Sequence, residues 1–294
     1  MESASDTPEA SRSDRPFVWG RKTYIMGILN VTPDSFSDGG QYDTVETAIA
    51  RARELVEAGA DLLDLGGQST RPGAREVSPE QERDRVVPVV RSLRDPSSPF
   101  ASTFENLPIS VDTTRASVAE AAVEAGATWV NDVSGGLADP QMLPTIAALG
   151  VGAILMHMRG TPQTMQQLTD YDDLIGEIYR VLETQIDAAI AAGIPREKIV
   201  VDPGIGFAKT YEQNLEILRK IPVFRRLGVP VLIGPSRKSF IGHLLDRPDP
   251  KQRVWGTAAA CCAAIAGGAD IVRVHDVAEM ADVCRVADAI FRVG

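Results

Sequence analysis

The sequence contains few of the residues that carry common cofactor and redox chemistry. Only three cysteines and three histidines occur in 294 residues. An odd number of cysteines without a CxxC pair excludes a disulfide framework, and we expect these cysteines to be small buried hydrophobic side chains. The histidines His157, His243 and His275 lack metal-ligand spacing such as HExxH, which argues against a zinc site.

Positive charge and long apolar runs are also scarce. Thirty Lys and Arg face forty Asp and Glu, so the net charge is -10. Because such a protein repels phosphates at long range, neither nucleic acid nor an anionic membrane is expected as its main partner. No window supplies the ~20 consecutive apolar residues of a membrane span. Residues 1–16 lack the apolar core of a signal peptide and are too acidic for a transit peptide, which predicts a disordered tail on a cytoplasmic protein.

Eight short apolar segments are present, and they alternate with helical patterns. Continuous apolar runs of this length are typical of strands buried on both faces of a parallel sheet. The alternation predicts a single (β/α)8 barrel domain over residues 17–294, with a doubly wound sheet as the alternative. The predicted strands lie near 24–29, 61–65, 108–112, 128–131, 152–156, 199–202, 230–234 and 270–274.

The segments between the strands show helical periodicity, with one exception. Apolar spacing predicts a helix from Thr44, as its N-terminal cap, to Gly59, and another from Leu174 to a stop at Gly193. Residues 94–108 are rich in Pro, Ser and Phe without a period. They are predicted to form a loop or insertion before the third strand.

Polar residues follow the predicted strands at their carboxyl ends. In a barrel these ends meet at one mouth, which is where barrel enzymes place their active sites. Any single Asp or Asn there could instead cap the next helix, but eight strands that each end in a hydrogen-bonding group favour a binding site. The residues are Asn30, Asp64, Asp112, Asn131 with Asp132, His157, Asp202, Lys238, Arg273 and His275.

The predicted mouth combines cations with buried polar groups. Arg71 lies in the Gly-rich turn "GGQSTRPGA", and Arg71 with Arg273 favours a diphosphate ligand because guanidinium groups bind phosphate in a forked geometry. Asn30 offers a neutral oxygen for Mg2+, which takes few protein ligands.

Acidic and amide side chains in the same region suit a flat ring. Asp112, Asn131 and Asp202 can pair its amino and amide edges, although a carboxylate network that only braces the barrel is an alternative. Bracing is the preferred role for Asp64. No Ser-His-Asp or Cys-His set is evident, and a Schiff-base aldolase that uses Lys238 is a further alternative.

Long motifs then identify a resemblance to a known family. "MGILNVTPDSFSDGG", "GADLLDLGGQSTRPGA", "ISVDTTR", "VNDVSGG", "VVDPGIGFAK", "GPSRKSFIG" and "GGADIVRVHDV" resemble the dihydropteroate synthases, from about Tyr24 to the C-terminus. The resemblance implies condensation of 6-hydroxymethyl-7,8-dihydropterin diphosphate with p-aminobenzoate, an SN1-like mechanism, Mg2+ as cofactor, a family that is the target of sulfonamides, and a homodimer built on outer helices.

The resemblance also assigns roles to matching positions. Asn30, Asp202, Lys238, Arg273 and His275 would be catalytic, and Asp38 would order the first loop. The pterin would contact Asp112, Asn131, Met156, Asp202, Phe207 and Lys238. Diphosphate would contact Asn30, Arg71, Arg273 and His275, with Asn30 as the metal ligand, and p-aminobenzoate would contact Phe36, Thr70, Pro72, Lys238 and Ser239.

Two positions depart from the family pattern. Gln68 stands where many relatives carry Glu, and Pro235 stands where a small or hydroxyl residue is common. Gln keeps an acceptor without the charge, whereas Pro removes one N–H donor. Two alternatives stay open: a pterin-binding methyltransferase domain that serves a corrinoid, which would not need the diphosphate cations, and a paralogue that binds pterins without turnover.

Overall fold

Eight parallel strands form one sheet that closes on itself. The structure is a computed structural model that describes residues 17–31, 41–69, 73 and 76–292. The sheet order is β6-β5-β4-β3-β2-β1-β8-β7. A parallel bridge between Val201 and Val231 joins the two outer strands, and Val201 N donates to Pro230 O at 3.0 Å. The strands are β1 (Tyr24–Asn30), β2 (Leu62–Gly66), β3 (Ile109–Asp112), β4 (Trp129–Asp132), β5 (Gly152–Met156), β6 (Ile199–Asp202), β7 (Leu232–Ile233) and β8 (Ile271–Val274).

The predicted barrel and its eight strands are therefore confirmed. The seventh strand is shorter than predicted, and proline explains part of the difference. Pro230 has no N–H, so its carbonyl can accept a hydrogen bond from the neighbouring strand but its nitrogen cannot donate one. The domain limits proposed from the sequence stay a prediction, because residues 1–16 lie outside the described part of the chain.

Helices surround the sheet and cover its outer face. The helix predicted from Thr44 begins at Gln41, so Thr44 lies inside the helix and the predicted cap is wrong; Gly59, with φ +107°, follows its end. The helix predicted from Leu174 is confirmed, and Asp173 caps it by accepting from Gly176 N at 3.0 Å. The helices are α1 (Gln41–Glu57), α2 (Pro79–Leu93), α3 (Ala101–Phe104), α4 (Ala116–Glu124), α5 (Met142–Leu149), α6 (Leu174–Ala191), α7 (Tyr211–Arg219), α8 (Ile221–Phe224), α9 (Ser239–Leu245), α10 (Val254–Ala266) and α11 (Val277–Phe291).

The segment 94–108 is an ordered insertion and is not irregular throughout. It contains the single helical turn α3, whose Phe104 side chain is buried in the main core. The Arg94 guanidinium donates to the carbonyls of Leu107 at 2.7 Å and Gly126 at 3.0 Å. A turn this short carries too little periodicity to be predicted, and its tertiary contacts stabilise it.

The barrel interior is apolar near the amino ends of the strands and polar near their carboxyl ends. Side chains two residues apart share a strand face, so Trp129 and Asn131 both point inward at different heights, as do Ile271 and Arg273. The apolar layer comprises Phe17, Tyr24, Met26, Leu62, Trp129, Ile154, Val200, Leu232 and Ile271. The polar side chains lie above this apolar layer and therefore line the mouth of the barrel.

Aromatic rings fill the lower end of the barrel. Phe17 stacks on Trp19 with centroids 4.9 Å apart and meets Tyr24 edge-on at 4.8 Å. A Cβ on Gly152 would lie 2.3 Å from Trp129 Cε3, so glycine at this position makes room for the indole. Among the helices of the described residues, none is both long and apolar enough to cross a membrane.

Candidate active site at the carboxyl end of the barrel

Strand register places the predicted residues side by side. Asn30 lies opposite Gly66, which lies opposite Asp112, and Asp112 lies opposite Asn131. Across the mouth, Met156 of β5 pairs with Asp202 of β6. Side chains distant in the sequence thus share one layer at the upper end of the barrel, which is the location expected for the active site of such a fold.

Arg273 is the electrostatic centre of this layer. Its Nε donates to Asp64 Oδ2 at 2.5 Å and its Nη2 donates to Asp112 Oδ2 at 2.8 Å. Asn131 Nδ2 donates to the same Asp64 oxygen at 3.0 Å. Since Asp64 is fully buried and holds both a cation and an amide, its contacts fit the bracing role.

Three buried oxygens in the barrel have no hydrogen-bond partner among the described residues: Asp64 Oδ1, Ser110 Oγ and Asp112 Oδ1. A buried polar atom without a partner costs about 1–3 kcal/mol. Burial raises the pKa of Asp112 to about 7 against the opposing charge of Arg273, and the neighbouring Asp64 raises it further. This region therefore favours a ligand that brings hydrogen-bond donors.

An apolar cluster lies beside the polar layer. It comprises Val133, Met156, Met165, Phe207 and Ala208, with Met158 packed against it. The Lys238 ammonium lies 4.2 Å from the centroid of the Phe207 ring. Apolar surface next to convergent hydrogen-bonding groups is typical of a site for a flat heterocycle.

Asp202 adds a second buried carboxylate on the opposite side of the mouth. Its Oδ1 accepts from Gly204 N at 2.7 Å. Burial raises the pKa of Asp202 to about 6, whereas this hydrogen bond and the charges of Lys238, Lys209 and Arg273 lower it. Three cations therefore lie within electrostatic range of the Asp202 carboxylate.

The segment after β7 carries groups with different roles. His275 Nδ1 is 3.0 Å from Ser236 Oγ, which fixes the imidazole against the neighbouring strand end. Arg237 donates from Nε to Asp276 Oδ2 at 3.0 Å, and this bond joins the segment after β7 to the segment after β8. Lys238 occupies the N-terminal cap position of α9 and Ser239 is the first residue of that helix.

Asp132 has a local structural role. Its Oδ1 accepts from Ser134 N at 2.8 Å, and its Oδ2 accepts from Gly136 N at 2.7 Å. These bonds order the turn that follows β4. Asp132 therefore orders a local turn and does not cap the next helix, whose N-terminal cap residue is Gln141.

Several predicted residues cannot be placed. Phe36, Asp38, Thr70, Arg71 and Pro72 lie outside the described residues. Their proposed contacts with p-aminobenzoate and diphosphate stay predictions. The described site consists of the strand ends and the segments after β5 to β8.

The departure at Gln68 has a physical explanation in its neighbours. Gln68 Oε1 accepts from Arg115 Nη1 at 3.0 Å. The same guanidinium forms ion pairs with the buried Glu82 and, at 2.9 Å, with Glu76. Because two carboxylates already neutralise Arg115, a neutral acceptor at position 68 satisfies the remaining donor without a third negative charge.

Lys209 is a buried group to which the sequence pattern assigned no role. It is 3% exposed, and its Nζ lies 3.0 Å from His157 Nδ1 and 2.8 Å from Phe207 O. The sequence shows Lys209 at the end of the motif "VVDPGIGFAK". A lysine directly before a helix cap such as Thr210 normally faces solvent, so the motif does not indicate that Lys209 is buried. Only the tertiary structure reveals its burial behind the site.

Comparison with known proteins places this barrel in a class. The family described as "Pterin binding enzyme" matches residues 26–275, so the chain's strands and their polar carboxyl ends are those of a pterin-binding enzyme. A relative from Synechocystis sp., named dihydropteroate synthase, is 56% identical over 276 residues, which covers 94% of this chain and 93% of that protein.

Solved structures agree with the sequence comparison. A Clostridium difficile dihydropteroate synthase, solved in the presence of pteroic acid, has a TM-score of 0.86 at 44% identity, and the match covers 94% of this chain and 100% of that chain. A Xanthomonas albilineans dihydropteroate synthase with 4-aminobenzoic acid has a TM-score of 0.84 at 46% identity, over 94% and 95% of the two chains. The chain belongs to the dihydropteroate synthase family.

Proposed function

We propose that the chain condenses 6-hydroxymethyl-7,8-dihydropterin diphosphate with p-aminobenzoate to give 7,8-dihydropteroate and diphosphate, a transferase reaction of folate biosynthesis. The observation that supports this proposal most directly is the buried Asp112 Oδ1. This oxygen accepts no hydrogen bond from the described residues, and Asp112 lies opposite Asn131 on the neighbouring strand. The ligands of the two solved relatives, pteroic acid and 4-aminobenzoic acid, support this assignment.

Pterin recognition follows from the donor pattern of the ring. A pterin presents an amino group and ring N–H groups along one edge, and these donors match the acceptors of Asp112, Asn131 and Asp202. The apolar cluster around Met156 and Phe207 covers the faces of the ring. Pairing a buried acceptor on binding removes the cost of leaving it without a partner.

The leaving group requires positive charge. As the carbon–oxygen bond breaks, its electron pair moves to the diphosphate oxygen, and we propose that Arg273 and His275 stabilise the growing negative charge. The Arg273 guanidinium keeps 21% of its side chain exposed while it holds Asp64 and Asp112. It is therefore ordered before substrate arrives.

The residues present are compatible with Mg2+. Asn30 ends β1 with a partly exposed side chain, and a Cβ on Gly66 would lie 3.8 Å from its Oδ1, so the amide oxygen is at the mouth. Among the described residues no group of three His, Cys, Asp or Glu side chains could hold a metal ion. Mg2+ commonly takes one or two protein ligands with substrate phosphates and water. Asn30 would hold the ion, which would neutralise diphosphate charge when bound.

The mechanism needs no strong base. Loss of diphosphate leaves a cation on the pterin methylene, which the dihydropterin ring delocalises and the Asp202 carboxylate stabilises. The lone pair of the neutral arylamine then forms the carbon–nitrogen bond, and its proton is released to solvent. Positioning supplies much of the rate enhancement.

Diphosphate release tests the proposed function. We expect the purified chain with pterin diphosphate, p-aminobenzoate and Mg2+ to release diphosphate in step with dihydropteroate, and removal of Mg2+ by a chelator to reduce the rate. A sulfonamide should compete with p-aminobenzoate. Pterin binding by calorimetry without turnover would instead support the non-catalytic paralogue.

We also propose a homodimer. Exposed apolar side chains gather on neighbouring outer helices: Leu244 and Leu245 of α9, Trp255 of α10, and Val286 and Ile290 of α11. Trp255 is 76% exposed, which is unusual for a large aromatic side chain, and tryptophan is enriched at protein–protein interfaces.

The cytoplasmic location predicted from the sequence stays a prediction.

A charge on the exposed tryptophan tests the dimer. Trp255→Glu should shift sedimentation from dimer to monomer at micromolar concentration, because burying a carboxylate at an apolar interface is unfavourable. Val18→Glu, at a residue that is 55% exposed near the amino end of the barrel, is the matched control and should leave the dimer intact. A monomeric wild-type chain would contradict the proposal.

A further inference from the structure

Lys209 is a buried cation that the proposed chemistry does not use. It follows the turn after β6, and its ammonium contacts Phe207 O at 2.8 Å and His157 Nδ1 at 3.0 Å. A buried ammonium is unfavourable unless it is paired and hydrogen-bonded. These contacts, with the nearby Asp202 charge, meet that requirement and place Lys209 behind the site.

The turn that Lys209 holds has an unusual backbone. Gly204 and Gly206 have φ of +76° and +84°, and Ala208 has φ of +50°. A left-handed residue with a side chain costs about 1–2 kcal/mol. The carbonyl before Ala208 accepts from the Lys209 ammonium, and the Ala208 carbonyl accepts from Tyr171 Oη at 3.0 Å. The two donors therefore stabilise the strained residue from either side.

This turn carries groups that contact the proposed ligand. Its Gly204 N donates to Asp202 Oδ1 at 2.7 Å, and its Phe207 ring packs against the Lys238 ammonium at 4.2 Å. A Cβ on Gly204 would lie 2.1 Å from His157 O, so the turn packs directly on the end of β5. Displacing Lys209 would thus disturb a carboxylate and an aromatic wall together.

The charge of Asp202 favours the protonated form of Lys209. Burial lowers the pKa of Lys209 to about 7, with Asp202 opposing the decrease and Arg159 and Lys238 adding to it. Burial also lowers the pKa of His157 to about 2, so the imidazole is neutral and accepts from the ammonium.

The charge of Lys209 in turn affects the pKa of the Asp202 carboxyl. The pKa of Asp202, about 6, is raised by burial, and Gly204 N, Lys238, Lys209 and Arg273 lower it. Below about pH 6 the carboxyl is protonated, and above about pH 7 the amine loses its proton. Between these values both groups are charged.

We propose that Lys209 is a positioning residue for the reaction, whose buried ammonium orders the turn from Asp202 to Ala208 and keeps the Asp202 carboxylate ionised beneath the pterin. This inference rests on the proposed function. Lys209 itself acts through Asp202 and the Phe207 carbonyl.

Lys209→Gln tests the inference, because glutamine keeps a donor and removes the charge. The variant should lose about tenfold or more in kcat/KM for diphosphate release near pH 6.5. The acid limb of the kcat profile, measured at saturating pterin diphosphate so that the Asp112-dependent change in pterin affinity does not contribute, should move upward by about one pH unit, since the Asp202 pKa rises without the nearby cation. The ratio of wild-type to variant kcat/KM should narrow toward pH 9, where Asp202 ionises unaided and wild-type Lys209 is also neutral.

Tyr171→Phe is the matched control. It removes the neighbouring hydrogen bond to the Ala208 carbonyl without changing charge, so its acid limb should coincide with that of the wild type. Lys209→Arg, which retains the charge, should also keep the limb in place. Circular dichroism and thermal unfolding of each variant establish that it is folded.

The possible results distinguish a failure of the inference about Lys209 from a failure of the proposed function. Loss by the same factor at every pH, with the acid limb unmoved, would show that Lys209 serves the fold alone and would overturn the inference. If Lys209→Gln does not fold, a displaced limb in Lys209→Arg overturns it, whereas an unmoved limb supports it. A wild-type chain without diphosphate release at any pH contradicts the proposed function itself.

Discussion

Arg273→Ala should lower kcat/KM for diphosphate release by a factor on the order of 10^3, because the variant loses the guanidinium proposed to stabilise the departing diphosphate. Stability should fall as well. Arg273 pairs with Asp64 and Asp112, and removing one partner of a buried ion pair costs about 3–5 kcal/mol. Steady-state kinetics and urea unfolding measure the two effects separately.

Arg225→Ala is the control for this experiment. Arg225 donates to Gly268 O at 2.6 Å before β8, at the opposite end of the barrel. Its loss should leave kcat/KM close to that of the wild type. Arg273→Lys, which keeps the charge but not the forked geometry, should give an intermediate activity. An unchanged kcat/KM for Arg273→Ala would rule out the assigned role.

Asp112→Asn should weaken pterin binding by about 10–100-fold, which corresponds to ~1.4–3 kcal/mol for a hydrogen bond to a charged acceptor. The amide also places a donor where Arg273 already donates. Calorimetric titration with a pterin measures the dissociation constant directly. Equal affinity for variant and wild type would remove Asp112 from the pterin site.

The pH dependence provides an independent check of the same residue. Burial raises the pKa of Asp112 to about 7, so its carboxylate is fully available as an acceptor above this pH and is lost as the pH falls through it. Wild-type pterin affinity should therefore decrease below about pH 7, and the Asp112 contribution to this decrease should be absent in Asp112→Asn. Asp95→Asn, at an exposed aspartate, should behave like the wild type.

The fold was largely predictable because its signals are local and repeated. Buried strands such as 61–65 and 108–112 appear as short apolar runs, and the helix stop at Gly59 follows from its left-handed backbone. The predicted secondary structure is wrong where one sequence pattern is compatible with more than one local structure. The helix α1 begins at Gln41, ahead of the predicted cap Thr44, and the single turn α3 is not predicted because tertiary packing, more than periodicity, stabilises it.

The candidate site was predictable in outline for a related reason. Carboxyl ends of parallel strands converge, so Asn30, Asp112, Asn131 and Asp202 could be grouped from their positions alone. The pairing of Arg237 with Asp276 could not be predicted, because the sequence does not show that residues 39 positions apart lie side by side. The burial of Lys209 was missed for the same reason.

The sequence by itself determined the alternation of strands and helices, the order of polar groups at the strand ends and the family motifs, since each depends on residues close along the chain. Only the tertiary structure decided which charges meet. Arg273 lies between Asp64 and Asp112, and Lys209 lies beside His157, because the pairing and curvature of the parallel strands bring residues far apart in the sequence together in a buried interior. There burial raises or lowers each pKa by an amount that depends on neighbours far away in the chain.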